Sequence, residues 1–182
     1  MDVRRLEASD VALVACIDRS EHVEVQYRVE DGRLVEGPVP RHRADIPPWD
    51  SDGAGENSVA SQVALYASAV TGGATLLGAF DANGELMGMA TVDPTFEPGM
   101  AWLATLHVSR AHRRRGVASA LWDAGIAIAR AAGARVLYVS ATPTGSAIGF
   151  YLSRGCRLAD TVHPALFADE PEDIHLVCVL DG

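Results

Sequence analysis

Apolar residues change rhythm several times along the chain, and each change marks an element. Val3 to Leu6 reads as a strand, and Ser9 stands as an N-cap before a helix over Asp10 to Asp18, where Val11, Val14, Ala15 and Ile17 suit one buried face. Val23, Val25, Tyr27 and Val29 then alternate with polar residues, and Asp31-Gly32 separates them from Leu34 and Val35, which predicts a hairpin. Pro38, Pro40, Pro47 and Pro48 enforce a loop after it, because proline has no amide to give a helix or a ladder. Helical spacing returns at Val59, Val63, Tyr66 and Val70, predicting a helix over Asn57 to Val70 that stops at Gly72-Gly73.

Strands follow. Ala74 to Phe80 and Glu85 to Val92 flank Asp81-Ala82-Asn83-Gly84, a tight-turn sequence, and Ala101 to Ser109 resumes after a loop from Pro94 to Gly99. The clearest helix covers Gly116 to Ala132, with Val117, Ala120, Leu121, Ala124, Ile128 and Ala131 on one face and Gly133 at its end. Arg135 to Ser140 reads as a buried strand, Gly145 to Arg154 as a helix stopped by Gly155, and Cys156 to Val162 and Ile174 to Leu180 as closing strands. No repeat, low-complexity tract or linker interrupts the chain, so residues 1–182 are expected to form a single domain.

Composition narrows the function. With 48% hydrophobic residues the chain can bury a core without metal or disulfides, and its net charge of -9 disfavours nucleic acid and anionic membrane, leaving room only for a local anion site. Cys16, Cys156 and Cys178 show neither a disulfide framework nor zinc-ligand spacing. Val11 to Ile17 is too short for a signal core and nothing is long enough to span a bilayer, so a cytoplasmic protein is expected. His163, Glu170, Asp173 and His175 fit no common metal-ligand spacing, and Pro164 and Pro171 beside them suggest a polar loop.

The informative stretch runs from the strand ending at Ser109 through Arg110 to Arg115 into the helix that begins at Gly116. A helix N-terminus exposes unpaired amides and the positive end of the dipole, and Gly116 and Ala118 keep bulk away from an approaching phosphate. Arg113, Arg114 and Arg115 add charge, while Val117 and Ser119 complete the turn. A nucleotide-binding G-x-x-x-x-G-K-[ST] loop and a G-x-G-x-x-G fingerprint are both absent.

Arg113-Arg114-Arg115-Gly116-Val117-Ala118 resembles the R/Q-x-x-G-x-G/A signature of the GCN5-related N-acetyltransferase superfamily, and Ser146 to Cys156 resembles its later A-x-x-x-Y-x-x-x-G-F segment. Order, spacing and element type agree over Leu76 to Leu180. The resemblance implies the acyl-CoA N-acyltransferase fold, an α/β (α+β) architecture with a mixed, mostly antiparallel twisted sheet of about six to seven strands and helices on both faces. It implies acetyl-CoA as co-substrate, without a metal, and residues 101–156 as its binding core. Pantetheine would lie in a gap between two splayed strands, bonding to backbone near Leu106 and Val108. Thr144 stands where many members carry asparagine; it would meet pantetheine or simply cap its helix.

By the same resemblance Tyr151 protonates the departing thiolate, and the acceptor is an amine of a small molecule or peptide. Trp102 occupies the place of a fourth-strand glutamate, so the base is open among His107, Asp93, Glu97, Glu21 and Glu24. Residues 23–55 form a variable segment near the acceptor site, where Tyr27, His42, Trp49, Asp50 and Asp52 either shape the pocket or serve the loop. Superfamily members often pair, so a homodimer is one expectation. A non-catalytic acyl-CoA sensor is the alternative reading.

Overall fold

The computed structural model describes residues 1–41 and 44–180. Strand β1 (Asp2–Arg5) leads into a 3-10 helix, Ala8–Cys16, and then to four short strands: β2 (Glu21–His22), β3 (Gln26–Glu30), β4 (Arg33–Gly37) and β5 (Asp45–Ile46). After α1 (Val59–Thr71) come β6 (Thr75–Phe80), β7 (Leu86–Glu97) and β8 (Met100–Val108). The chain then forms α2 (Val117–Ala131), β9 (Val136–Ala141), α3 (Gly145–Ser153), β10 (Arg157–Leu158), α4 (Pro164–Asp169) and β11 (Ile174–Val179).

The seven-stranded sheet runs β1-β6-β7-β8-β9-β11-β10, with β2/β5 and β3/β4 as separate pairs. Every neighbour in the large sheet is antiparallel except β8 and β9. A parallel pair needs a crossover, and α2 supplies it. Side chains of β6 divide between two faces: Leu77 and Ala79 join Val117, Leu121 and Trp122 under α2, whereas Leu76 and Phe80 meet Val14 of the 3-10 helix, Ile17 just after it and Tyr66 of α1. Coverage on both faces explains why the first part of β7, Leu86 to Val92, is buried without alternation. Gly88 is required at its position because a Cβ there would lie 2.8 Å from the His107 carbonyl oxygen and 3.1 Å from Val117 Cγ1.

Four elements differ from the expectations. The first helix is 3-10 rather than α. The loop expected from Pro94 continues as β7, because the register between Asp93 and Glu97 is irregular and that bulge accommodates a residue without an amide. The strand expected from Cys156 pairs only at Arg157 and Leu158. Beyond it, the supposed polar loop is α4, started by Pro164 in its first turn with the His163 ring accepting from the Leu166 amide. The Asp31-Gly32 hairpin forms as expected, both residues having positive φ, 48° and 71°.

Candidate active site

Two strands part company at the centre of the sheet. β8 pairs with β9 from Met100↔Val136 to Leu103↔Val139 and no further. Beyond Leu103, β8 stays with β7 as far as Val108↔Gly88, while Ser140 and Ala141 of β9 stay with β11. The backbone around half-buried Leu106 and Val108 therefore faces a gap rather than a neighbouring strand.

From the free end of β8 the chain turns through residues 110–116 into the start of α2. The first bond of the helix runs from the Ala120 amide to the Gly116 carbonyl, and no side chain caps the end. Among the described residues the amides from Arg114 to Ser119 have no protein acceptor. Gly116 sits at φ 81° with open space where a Cβ would stand, and Arg114 also takes a positive φ of 61°. Left-handed residues curl the turn so that its amides converge, the geometry of an anion cradle. Arg114 and Arg115 are exposed beside it, Ala118 is half-buried, and Val117 anchors the turn in the core. Arg154, from the end of α3, adds a cation at the same place by donating to the Ser119 hydroxyl.

Arg113 does something else. Its guanidinium donates to the carbonyls of Arg19 at 2.7 Å, Ser20 at 3.1 Å and Val108 at 3.2 Å, and meets Glu21 at 3.3 Å. The charge is spent on pinning residues 19–21 to the end of β8 rather than facing the cradle. Further bonds extend the same tether: Arg110 N donates to Asp18 O at 2.8 Å and Asp18 N to Ser109 Oγ at 3.1 Å. At the other end, Gly145 N donates to Val25 O and Tyr27 N to Pro143 O, both at 2.8 Å. Residues 18–27 thus form a strap from the end of β8 to the end of β9. Sequence reasoning missed it, since its partners lie roughly a hundred residues away and leave no local pattern.

Beneath the strap lies a cavity of about 280 Å³ lined by Arg19, Val23, Gln26, Asp45, Thr142, Pro143, Thr144, Glu172 and Asp173 among others. Thr144 caps α3, its hydroxyl accepting from the Ala147 amide at 3.3 Å. Tyr151 is buried on the same helix between Trp122 and Phe150, with ring centroids 5.8 and 5.3 Å away. Burial above all, then the neighbouring Cys156 and Asp173, pushes its phenol up, so it stays protonated at neutral pH. Trp49 plugs the loop onto the core, edge-on to His107 at 5.3 Å and stacked by Arg19 at 4.1 Å. Asp50 accepts the amides of Asp52 and Gly53, a local turn. Tyr27 donates to Glu36 at 2.7 Å. His42 lies outside the described residues.

The base candidates separate by position. Asp93 and Glu97 sit opposite Trp102 and Met100, at the closed end of β8, and Glu97 pairs with His163 at 3.1 Å. Glu21 is held by Arg113, and Glu24 is exposed on the strap. His107 is half-buried with its Nδ1 2.8 Å from the Tyr66 hydroxyl; desolvation first, then Arg19 and Arg113, lowers it to about 4, so it is neutral and weakly basic. Among the described residues no group of three or more histidine, cysteine, aspartate or glutamate side chains is placed to hold a metal ion, and no helix is long and apolar enough to cross a membrane.

Comparison with known proteins decides the family. The model of the acetyltransferase (GNAT) family matches residues 45–156, more than half of the chain. The chain belongs to the GNAT acetyltransferase family. It is accordingly an acyltransferase, and its mixed seven-stranded sheet is the GNAT acyl-CoA N-acyltransferase fold. A nourseothricin acetyltransferase is similar over 99% of this chain and 98% of its own, with a TM-score of 0.69 at 18% identity. A candidate streptothricin acetyltransferase from Bacillus anthracis, in complex with acetyl coenzyme A, gives 0.71 at 14% identity over the same shares. The paia N-acetyltransferase from Thermoplasma acidophilum, in complex with coenzyme A, gives 0.60 at 12% identity over 98% of each chain. At these identities the GNAT likeness is one of fold. No curated protein sequence matches the chain.

Proposed function

We propose that this GNAT protein transfers the acetyl group of acetyl-CoA to a primary amine of a cationic small molecule or peptide, by direct attack and without a covalent enzyme intermediate. One observation carries the reading: β8 and β9 part after Leu103 and Val139, and the free end of β8 runs on into the turn whose amides from Arg114 to Ser119 are unpaired among the described residues. An extended pantetheine arm suits the gap, since it can bond to strand backbone as an added strand does, and a diphosphate suits the amides. Gly116, Val117, Ala118 and Ser119 supply the cradle backbone, Arg114 and Arg115 its charge, and Leu106 and Val108 the strand. The structural relatives solved with coenzyme A or acetyl-CoA support the donor.

The acceptor enters from the strap side. Among the described residues, the acidic side chains of Asp45 and Asp173 beside Arg19 make that cavity attractive to an ammonium group. Relatives named for nourseothricin and streptothricin make such cationic antibiotics the first acceptors to try. The amine nitrogen attacks the thioester carbonyl, the carbon–sulfur bond breaks, and Tyr151 gives its proton to the sulfur. Residues 1–182 act as one catalytic unit, with 23–55 walling the acceptor side.

The test is thiol release from acetyl-CoA with nourseothricin, spermidine and a lysyl peptide, alongside calorimetry with coenzyme A. Acceptor-dependent thiol is expected, together with binding heat that Gly116→Glu removes by placing a carboxylate in the cradle. Heat without acceptor-dependent thiol would favour the sensor, and no heat would end the reading.

A further inference from the structure

Of the carboxylates named as bases from the sequence, Asp93 and Glu97 lie at the closed end of β8, Glu21 is held by Arg113, and Glu24 is exposed on the strap. One that was not singled out as a base does stand beside the gap. Asp173 immediately precedes β11, whose first residue, Ile174, pairs with Ala141 at the free end of β9. Its Oδ2 accepts the hydroxyl of Ser140 at 3.1 Å, and Ser140 is the first β9 residue past the last pair with β8. Asp173 lines the cavity together with Thr142, Pro143 and Thr144, as do Arg19 of the strap and Asp45 of β5. Its charge also reaches the Tyr151 phenol.

We propose that Asp173 is the general base of acetyl transfer, receiving the acceptor ammonium in the cavity under the strap and removing its proton beside the thioester. The inference rests on the acetyl-transfer reading above. Two properties of the surroundings suit the role. Burial first, then the hydrogen-bonded and negatively charged Glu170, with Glu172 adding, raise this carboxyl to about 7, while the Ser140 bond opposes them. A base of that strength is half ionised at neutral pH and matched to proton transfer there. Among the described residues the other charged groups lining the cavity are Arg19, Asp45 and Glu172, and Asp45 is paired with His22 at 2.7 Å.

The protons balance. Ionised Asp173 takes one proton from the ammonium and releases it to water, leaving a neutral amine. The nitrogen lone pair forms the bond to the carbonyl carbon, the carbon–sulfur bond breaks, and its electron pair leaves on sulfur, which takes the Tyr151 proton. A second nitrogen proton, shed as the amide forms, restores the phenol. Ammonium and thioester have become amide, thiol and one free proton.

Asp173→Asn keeps the shape and an acceptor for Ser140 while abolishing basicity. With the best of nourseothricin, spermidine and lysyl peptide as acceptor, kcat is expected to fall by about 10²-fold or more and to lose its rise through neutral pH, with the KM for acetyl-CoA unchanged. A variant with wild-type kcat and pH profile overturns the proposal while leaving the acetyl-transfer reading intact. Wild-type enzyme inactive on every amine brings down both. A measurement free of any acceptor stands beside these: the carboxyl carbon-13 resonance lost in Asp173→Asn should titrate near neutrality in the wild type. Titration in the ordinary aspartate range refutes the assignment.

Discussion

Arg113 allows a clean separation of scaffold from substrate contact. Arg113→Met keeps the aliphatic stem and removes the guanidinium, leaving the carbonyls of Arg19, Ser20 and Val108 and the carboxylate of Glu21 without their donor. A hydrogen bond from a charged group contributes ~1.5–3 kcal/mol when shielded. The Arg113 side chain is 28% exposed, so water replaces part of what is lost and the partial pair with Glu21 adds little. A net loss of about 3 kcal/mol follows, which for a chain of this length lowers Tm by roughly 6–12 °C. Arg114→Met is the control, because Arg114 is exposed and donates to no described residue. Thermal and urea unfolding should show a large loss for Arg113→Met and less than about 0.5 kcal/mol for Arg114→Met, whereas calorimetry with coenzyme A should show the larger affinity loss for Arg114→Met. Equal stability of the two variants, with the affinity order reversed, would falsify the tether and return Arg113 to the phosphates.

Tyr151→Phe should lower turnover by ~10²-fold with unchanged coenzyme A affinity, read by stopped-flow thiol release and calorimetry; wild-type turnover removes the phenol as proton donor. Thr144→Ala loses the cap of α3 and should cost about 1 kcal/mol in urea unfolding, and an unchanged midpoint would mean that the cap contributes nothing. His107 sets an acid limit: unfolded it takes a proton near pH 6.5, folded not until about 4, so protonation favours the unfolded chain in that window. Stability should therefore fall as pH drops from about 6.5 towards 4, by ~2–3 kcal/mol, and His107→Gln should flatten the fall. Parallel wild-type and variant curves would contradict this.

What could be read from the residues alone was what they encode locally. The periodic face from Val117 to Ala131 and the glycine before it gave α2 and its bare N-terminus, and Asp31-Gly32 gave the hairpin, because backbone conformation there depends on immediate neighbours. Long-range choices were hidden. Nothing near Arg113 signals that its side chain turns to carbonyls about ninety residues earlier, and nothing beside Asp173 signals that Ser140 and the mouth of the gap await it. Arg154 was within reach of sequence reasoning, one residue before Gly155 in a segment already singled out, had its distance from the helix start been considered. The extra strand length in β7 and the short α4 escaped because prolines were read only as breakers, although a bulge and a first helical turn both accept them.

The strap lies wholly before residue 45, where the match to the family begins. It is held by main-chain bonds at both ends and by the side chains of Arg19, Ser20, Glu21 and Val23, whereas Gln26, which also lines the cavity, makes no side-chain hydrogen bond to a described residue. Substitution at Gln26 can therefore remodel the entrance at small cost to the sheet, and a graft of the whole stretch from a relative, carrying its own anchoring side chains, is the economical route to an enzyme of altered appetite whose grip on the donor is untouched.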